Sequence, residues 1–208
     1  RKNYHFYFEF KIQKTIFLVM FRKVLGEIIN FVLPNSCISC EEPISPNEKF
    51  ICRRCFQTLE KYEDMHPWKV EYIENGIIND SMSAFWFREG TVIQSLMHAL
   101  KYEKMRSVGK LLGTEIGRQI TGIGNTAYNY IIPVPLHKAK LRDRTYNQSE
   151  FIANGIHDVI GAEVIADGVI RTRFTGTQTK LNKAERKVNV SDAFAVNPKH
   201  LEKLAGKN

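Results

Sequence analysis

Two cysteine pairs, Cys37-x2-Cys40 and Cys52-x2-Cys55, stand eleven residues apart and constrain the local fold more than any other feature of the chain. Each pair can bend its backbone round one edge of a tetrahedron, and four thiolates at about 2.3 Å close the shell of a Zn²⁺ ion. Pro43, Pro46 and Asn47 in the intervening stretch suit a knuckle–turn–knuckle layout. The gap is a little shorter than in the commonest four-cysteine template, but the second CxxC makes the signal strong. An iron–sulfur cluster, two disulfides and a redox pair are the competing readings. Disulfides need an oxidising compartment, and no signal-peptide pattern is read in these residues. A redox pair is expected singly, beside a βαβ pattern. The expectation is structural zinc on Cys37, Cys40, Cys52 and Cys55, with a closed shell that holds the fold and does no chemistry.

The most apolar stretch, Thr15 to Phe21, is interrupted by Arg22 and Lys23 and falls well short of the roughly 20 apolar residues a spanning helix needs. Phe21, Val24, Leu25, Ile28, Ile29, Phe31 and Val32 recur at helical spacing, so an amphipathic helix is expected there. Residues 1–19 are aromatic, basic and unpatterned, and the first methionine is Met20. We therefore expect residues 1–19 to be a non-native leader, and residues 20–62 to form an amphipathic helix plus a zinc-ribbon-like module in a cytoplasmic protein.

Downstream, helical and extended patterns alternate. Ser83–Phe87 reads as a strand ended by Glu89-Gly90. Thr91 is placed to cap a helix running to about Lys104, with Val92, Leu96, Ala99 and Leu100 on one face. Ser107 opens a second helix carrying Val108, Leu111, Leu112, Ile116 and Ile120. Tyr130–Val134 suits a buried parallel strand, and Asn147 precedes a third helix with Phe151, Ile152, Ile156, Val159 and Ile160. Glu163–Ile165, Val169–Thr172 and Ser191–Val196 are further strand candidates, while residues 68–80 carry only a weak pattern. The alternation argues for an α/β domain over residues 80–208.

The chain is 43% hydrophobic and 25% charged, which excludes wholesale disorder. Its net charge of +8 is compatible with nucleic acid, anionic lipid or a phosphate-rich small molecule. Residues 1–19 supply three of those eight charges, through Arg1, Lys2, Lys11 and Lys14 against Glu9. Much of the rest lies in two segments beside strand ends. In the first, Pro133 to Leu136 leads into Lys138, Lys140, Arg142 and Arg144, then Asn147 and Gln148 at a helix start. Ligands of open α/β sheets bind at the carboxyl ends of strands, and helix N-termini add amide donors for phosphate. A solvated basic loop is the plain alternative. The second segment holds Arg171, Arg173, Thr175, Gly176, Gln178, Lys183 and Arg186 in a long polar stretch, with an ordinary hairpin as the alternative.

The cysteine quartet, Leu100-Lys101-Tyr102, Pro133-Val134-Pro135-Leu136, Arg144-Thr145-Tyr146-Asn147-Gln148, and Arg171-Thr172-Arg173 through Gln178, Leu181, Arg186 and Asn189 to Phe194 occur in one order from Met20 onward. Together they resemble the ComF family, phosphoribosyltransferase-like proteins associated with bacterial competence and DNA uptake. Thr145-Tyr146 departs from the Gly-Phe usual in that family. The resemblance implies a type I phosphoribosyltransferase-like parallel sheet behind a zinc-ribbon-like module, and an amidophosphoribosyltransferase-like activity. It makes residues 135–144 the pyrophosphate-side loop and residues 171–187 the mobile loop over phosphoribosyl pyrophosphate. By that likeness Lys138, Lys140, Arg142, Arg144, Asn147, Gln148, Arg171, Arg173, Gln178 and Arg186 bind substrate. Chemistry would be substitution at the anomeric carbon, with Mg²⁺ and basic groups on the leaving pyrophosphate.

The family's ribose-phosphate motif, two acidic residues followed by Thr-Thr-Gly after a hydrophobic strand, does not occur in the 208 residues. We expect the sheet to be incomplete at its C-terminal end, the gene product to continue past Asn208, phosphoribosyl pyrophosphate with Mg²⁺ to need the complete site of the full-length form, and the chain as given to lack turnover. A non-catalytic module that binds single-stranded DNA or the DNA-import machinery is the alternative expectation.

Overall fold

A computed structural model describes residues 35–62, 78–124, 128–173 and 192–207, with isolated positions at 175, 182, 185, 188 and 189. The expected leader, the amphipathic helix ahead of the cysteines, most of the weakly patterned 68–80 stretch, Gln178 and Arg186 lie outside the described residues. The chain divides into two compact units after Thr58.

The described part of the first unit, residues 35–58, is built on reverse turns. Cys37 N–H donates to the Glu42 carbonyl and Glu41 N–H to the Cys37 carbonyl, folding Cys37–Glu42 into a knuckle closed by a bridge between Ser36 and Pro43. Glu41 sits at φ 61°, where a side chain is strained and glycine is not. The chain returns to donate Ile38 N–H to Phe50 O, and Cys52 then caps α1 (Arg53–Gln57), its sulfur accepting from Cys55 N–H. Among the described residues of this unit, Phe50, Ile51, Cys37 and Cys55 are buried.

The second unit mixes helices with small sheets. Among its described residues, α2 (Val92–Tyr102) follows Thr91 and α3 (Arg106–Gly122) follows Met105. After β1 (Tyr130–Ile131) come α4 (Lys138–Arg144), α5 (Gln148–Ile160) and β2 (Glu163–Val164). Then β3 (Val169–Arg171) and β4 (Phe194–Val196) lead to a 3-10 turn at Pro198–His200 and α6 (Leu201–Leu204). β1 pairs with β2 in parallel, with Tyr130 beside Glu163 and Ile131 beside Val164. β3 pairs with β4 antiparallel.

Three local expectations change. The Ser83–Phe87 strand reduces to a single bridge between Lys61 and Phe85. The Tyr130–Val134 strand is regular only at Tyr130–Ile131, since Pro133 and Pro135 have no N–H to offer a ladder. The expected loop at 135–144 contains α4, whose first turn is capped by the His137 ring accepting from Ala139 N–H.

Packing centres on α3 against α5, and glycines decide how close the two helices come. A Cβ at Gly113 would lie 2.0 Å from the Ile152 carbonyl oxygen, and one at Gly155 would lie 2.3 Å from the Lys110 carbonyl oxygen. Gly109 and Gly117 extend the same face, against Phe151 and Val159. Apolar side chains fill the flanks: Leu96, Leu100 and Val108 are fully buried and Leu112 and Ala153 nearly so. Among Leu111, Ile116 and Ile120, expected on the core face, none is fully buried.

Candidate functional site

The four cysteine sulfurs lie within 4.8 Å of one another, and Cys40 Sγ is 3.8 Å from Cys52 Sγ. Four sulfurs at about 2.3 Å from a common centre stand about 3.8 Å apart along a tetrahedron edge. A disulfide would require about 2.05 Å, and all four cysteines are free. Cys37 and Cys55 are buried, and backbone N–H groups already face the sulfurs: Cys52 N–H approaches Cys37 Sγ at 3.4 Å and Cys55 N–H approaches Cys52 Sγ at 3.4 Å. Burial acts to raise the Cys37 thiol, but the backbone groups of Cys40, Cys52 and Ser39 and the Cys40 side chain outweigh it and hold its pKa at about 6. Burial, with the neighbouring Cys52, Cys40 and Cys37 thiols, pushes Cys55 up to about 12. Cys37 thus carries thiolate character at neutral pH, and the spacing of the four sulfurs fits a metal ion that accepts four sulfur ligands.

The basic segment is organised by α4 and the start of α5. Lys138 and Arg142 share one face of α4, Lys140 and Arg144 another, so the four charges do not converge. Arg144 is the one drawn inward. Its Nη1 donates to Gln148 Oε1 at 3.1 Å, and its guanidinium lies 5.6 Å from the centre of the Tyr102 ring. Thr145 ends α4 at φ 67°, the left-handed position where the resemblance led us to expect glycine. Asn147 caps α5 through Ser149 N–H, and its Nδ2 donates to the Val134 carbonyl at 3.0 Å. Gln148 is buried, and its Nε2 has no hydrogen-bond partner among the described residues.

Tyr146 carries this segment into the core. Its hydroxyl donates to the Leu100 carbonyl, its ring meets Phe151 edge-on at 5.3 Å, and Arg106 lies 5.0 Å from it. Three of the sequence motifs, around Leu100, Pro133 and Asn147, are therefore joined. Arg106 was not legible as a partner, because nothing in its local sequence distinguishes it from other surface cations.

Arg171 sits on β3 with its guanidinium 5.1 Å from the Phe194 ring and a hydrogen bond to buried Thr175. Arg173 is exposed and reaches the Val188 carbonyl. An apolar cleft of ≈ 150 Å³ is lined by Ile132, Pro133, Val134, Pro135, Val169 and Phe194. The exit of β1 and the first residues of β3 and β4 thus share one depression.

No helix among the described residues is long and apolar enough to cross a membrane. Fold and site define a mixed helix-and-strand protein with a four-cysteine cluster able to hold a metal ion. Comparison with protein-family models, with characterised proteins and with solved structures returns no match.

Proposed function

We propose that this chain is a ComF-type, phosphoribosyltransferase-like protein that binds the pyrophosphate side of phosphoribosyl pyrophosphate and is associated with DNA uptake. The observation that carries the reading is the Asn147–Val134 hydrogen bond. It sets the N-terminus of α5, with Arg144 and Gln148 beside it, against the exit of β1, the arrangement in which α/β folds receive phosphate groups. The parallel β1–β2 pair linked through α4 and α5 suits a type I phosphoribosyltransferase-like sheet, and the unpartnered Gln148 Nε2 supplies a donor for a ligand oxygen. Arg144, Asn147 and Gln148 hold the anion in this reading, and Lys138, Lys140 and Arg142 raise the local potential. By the resemblance, Arg171, Arg173, Gln178 and Arg186 belong to the mobile loop that covers the substrate. Mg²⁺ would shield the leaving pyrophosphate when the substrate is bound. Titration calorimetry with phosphoribosyl pyrophosphate tests the reading: Mg²⁺-dependent binding is expected, weakened at least tenfold by Arg144→Ala, and heat-free titration of the folded chain would overturn it.

The metal of the cysteine cluster is structural zinc in the same reading. The four-thiolate donor set and the tetrahedral sulfur spacing support it, and a reducing, cytoplasmic setting keeps such thiolates available.

A second reading, single-stranded DNA binding without catalysis, is favoured by Tyr102, which is 64% exposed beneath Arg144. An exposed ring beside a guanidinium is a stacking platform for bases. Fluorescence anisotropy with a labelled oligonucleotide, repeated across salt, separates the readings, since only nucleic-acid binding falls steeply with log salt.

A further inference from the structure

We infer that this chain pairs with a second copy of itself along the segment Ser81–Phe87, as antiparallel strands in a two-fold register that sets Asp80 of each copy opposite Arg88 of the other. Neither the phosphoribosyl nor the DNA reading enters into it.

Ser81-Met82-Ser83-Ala84-Phe85-Trp86-Phe87 has the aromatic content of a strand and carries no charge, proline or glycine. The second unit uses one edge of it. Tyr62 N–H donates to the Ala84 carbonyl at 3.2 Å and Trp86 N–H to the Glu60 carbonyl at 3.0 Å, which makes Lys61 and Phe85 an antiparallel bridge. Successive residues of a strand aim their backbone groups at opposite edges, so those of Ser83, Phe85 and Phe87 point away from residues 60–62. Among the described residues, no backbone group bonds to them there. Edge strands are commonly blunted by a charge or a proline, and this segment has neither. Met82, Trp86 and Phe87 are exposed beside the open edge.

The segment is complementary to itself. Antiparallel pairing of identical strands is two-fold, with one patch facing the same patch. Centred on Ala84, it opposes Ser83 to Phe85, Ser81 to Phe87, Met82 to Trp86 and Asp80 to Arg88. Each Ser83–Phe85 pair can then exchange both N–H···O bonds. Each phenylalanine meets a small serine, a methionine sulfur meets an indole, and opposite charges close both ends. Centring on Phe85 instead sets Arg88 against Met82 and loses both charge pairs. The two charges are held at the segment ends: Arg88 lies 5.3 Å from the Trp86 ring and 3.3 Å from Glu60, and Asp80 Oδ1 accepts from Ser81 N–H at 2.7 Å. One strand pair buries less than the roughly 1,200 Å² of a standard interface, so the dimer is weak, with a Kd on the order of 100 μM.

The test uses the full chain with zinc under reducing conditions. Sedimentation equilibrium across concentration compares wild type with Asp80→Arg, Arg88→Asp and the double variant. Wild type should dimerise reversibly. Each single reversal should weaken the dimer about tenfold, because it sets like charges opposite one another twice. The double variant should return to within about threefold of wild type. Amide exchange read by NMR on wild type needs no substitution: Ser83 and Phe85 should slow as concentration rises, and Trp86, already bonded to Glu60, should change least. A wild-type chain still monomeric at about 1 mM, or a dimer whose Ser83 and Phe85 amides exchange as fast as in the monomer, would overturn the inference. So would a dimer indifferent to both single reversals, or one that the double variant does not restore.

Discussion

The Tyr146 hydroxyl donates its hydrogen bond to the Leu100 carbonyl, 46 residues earlier, at the end of α2. That carbonyl belongs to the last turn of a helix, where intrahelical partners run out, so the phenol satisfies an otherwise orphaned acceptor. Tyr146→Phe keeps the ring against Phe151 but leaves the buried carbonyl unpaired. A loss of about 1–2 kcal/mol in urea unfolding is expected, and an unchanged midpoint would show that the bond contributes nothing net.

The α3–α5 interface should be intolerant of a single methyl group. Gly113→Ala places a carbon 2.0 Å from the Ile152 carbonyl oxygen, a clash with backbone that no rotamer relieves. We expect destabilisation of about 3 kcal/mol or more. Gly122→Ala, at the open end of the same helix with nothing within 4 Å, should be neutral or gain up to about 1 kcal/mol. Paired denaturant curves measure the contrast.

Thr145 ends α4 in the left-handed region at φ 67°. Thr145→Gly should therefore stabilise the second unit by about 1 kcal/mol, since glycine reaches that conformation without strain. A lower melting temperature for the glycine variant would indicate that the threonine side chain supplies more than its backbone costs.

Glu115 is buried at the α3 surface between Lys61, at 2.8 Å, and Arg118, at 3.3 Å. Burial alone would raise its pKa, but the hydrogen bonds and charges of Lys61 and Arg118 outweigh it and hold the carboxyl below its ordinary 4.5. A folded-state pKa below the unfolded one contributes stability that is full above about pH 4.5 and is lost as pH falls through the folded value. Glu115→Gln should flatten that acid limb of the stability curve, while Lys61→Ala, removing a half-exposed partner, should cost about 1 kcal/mol near neutral pH. Stability measured between pH 2 and 7 checks both, and identical acid limbs for wild type and Glu115→Gln would refute the assignment.

The cysteine unit should depend on its metal. About one zinc per chain is expected by metal analysis, and Cys52→Ser should remove hydrogen-exchange protection from residues 35–58 while leaving α3 and α5 protected. Protection that survives chelation would mean the knuckles hold without a metal.

Much of the helix layout was legible because its signals are local. Thr91 and Asn147 stand at the starts of α2 and α5 where capping residues belong, and the Leu96–Leu100 spacing marks a buried face. The close approach of α3 and α5 was not legible, since Gly109, Gly113 and Gly117 contribute nothing to a hydropathy pattern. It led instead to Leu111, Ile116 and Ile120. The run 138–144 is rich in helix formers, but its start was not legible, because the His137 cap acts through geometry rather than through a recognised capping residue.

Cysteine spacing alone was enough to specify a four-sulfur cluster, because each CxxC closes over so few residues that chain geometry leaves little freedom. It says nothing of Arg54, whose contact with Glu42 exists only once the two knuckles face each other. Likewise the order of motifs marks Leu100, Val134 and Asn147 as notable, yet only tertiary packing joins them, through Tyr146 to Leu100 and Asn147 to Val134. Local spacing decides which atoms can meet within a turn. Contacts between residues tens of positions apart depend on how closely whole helices approach, and here that distance is set by glycines with no side chain at all.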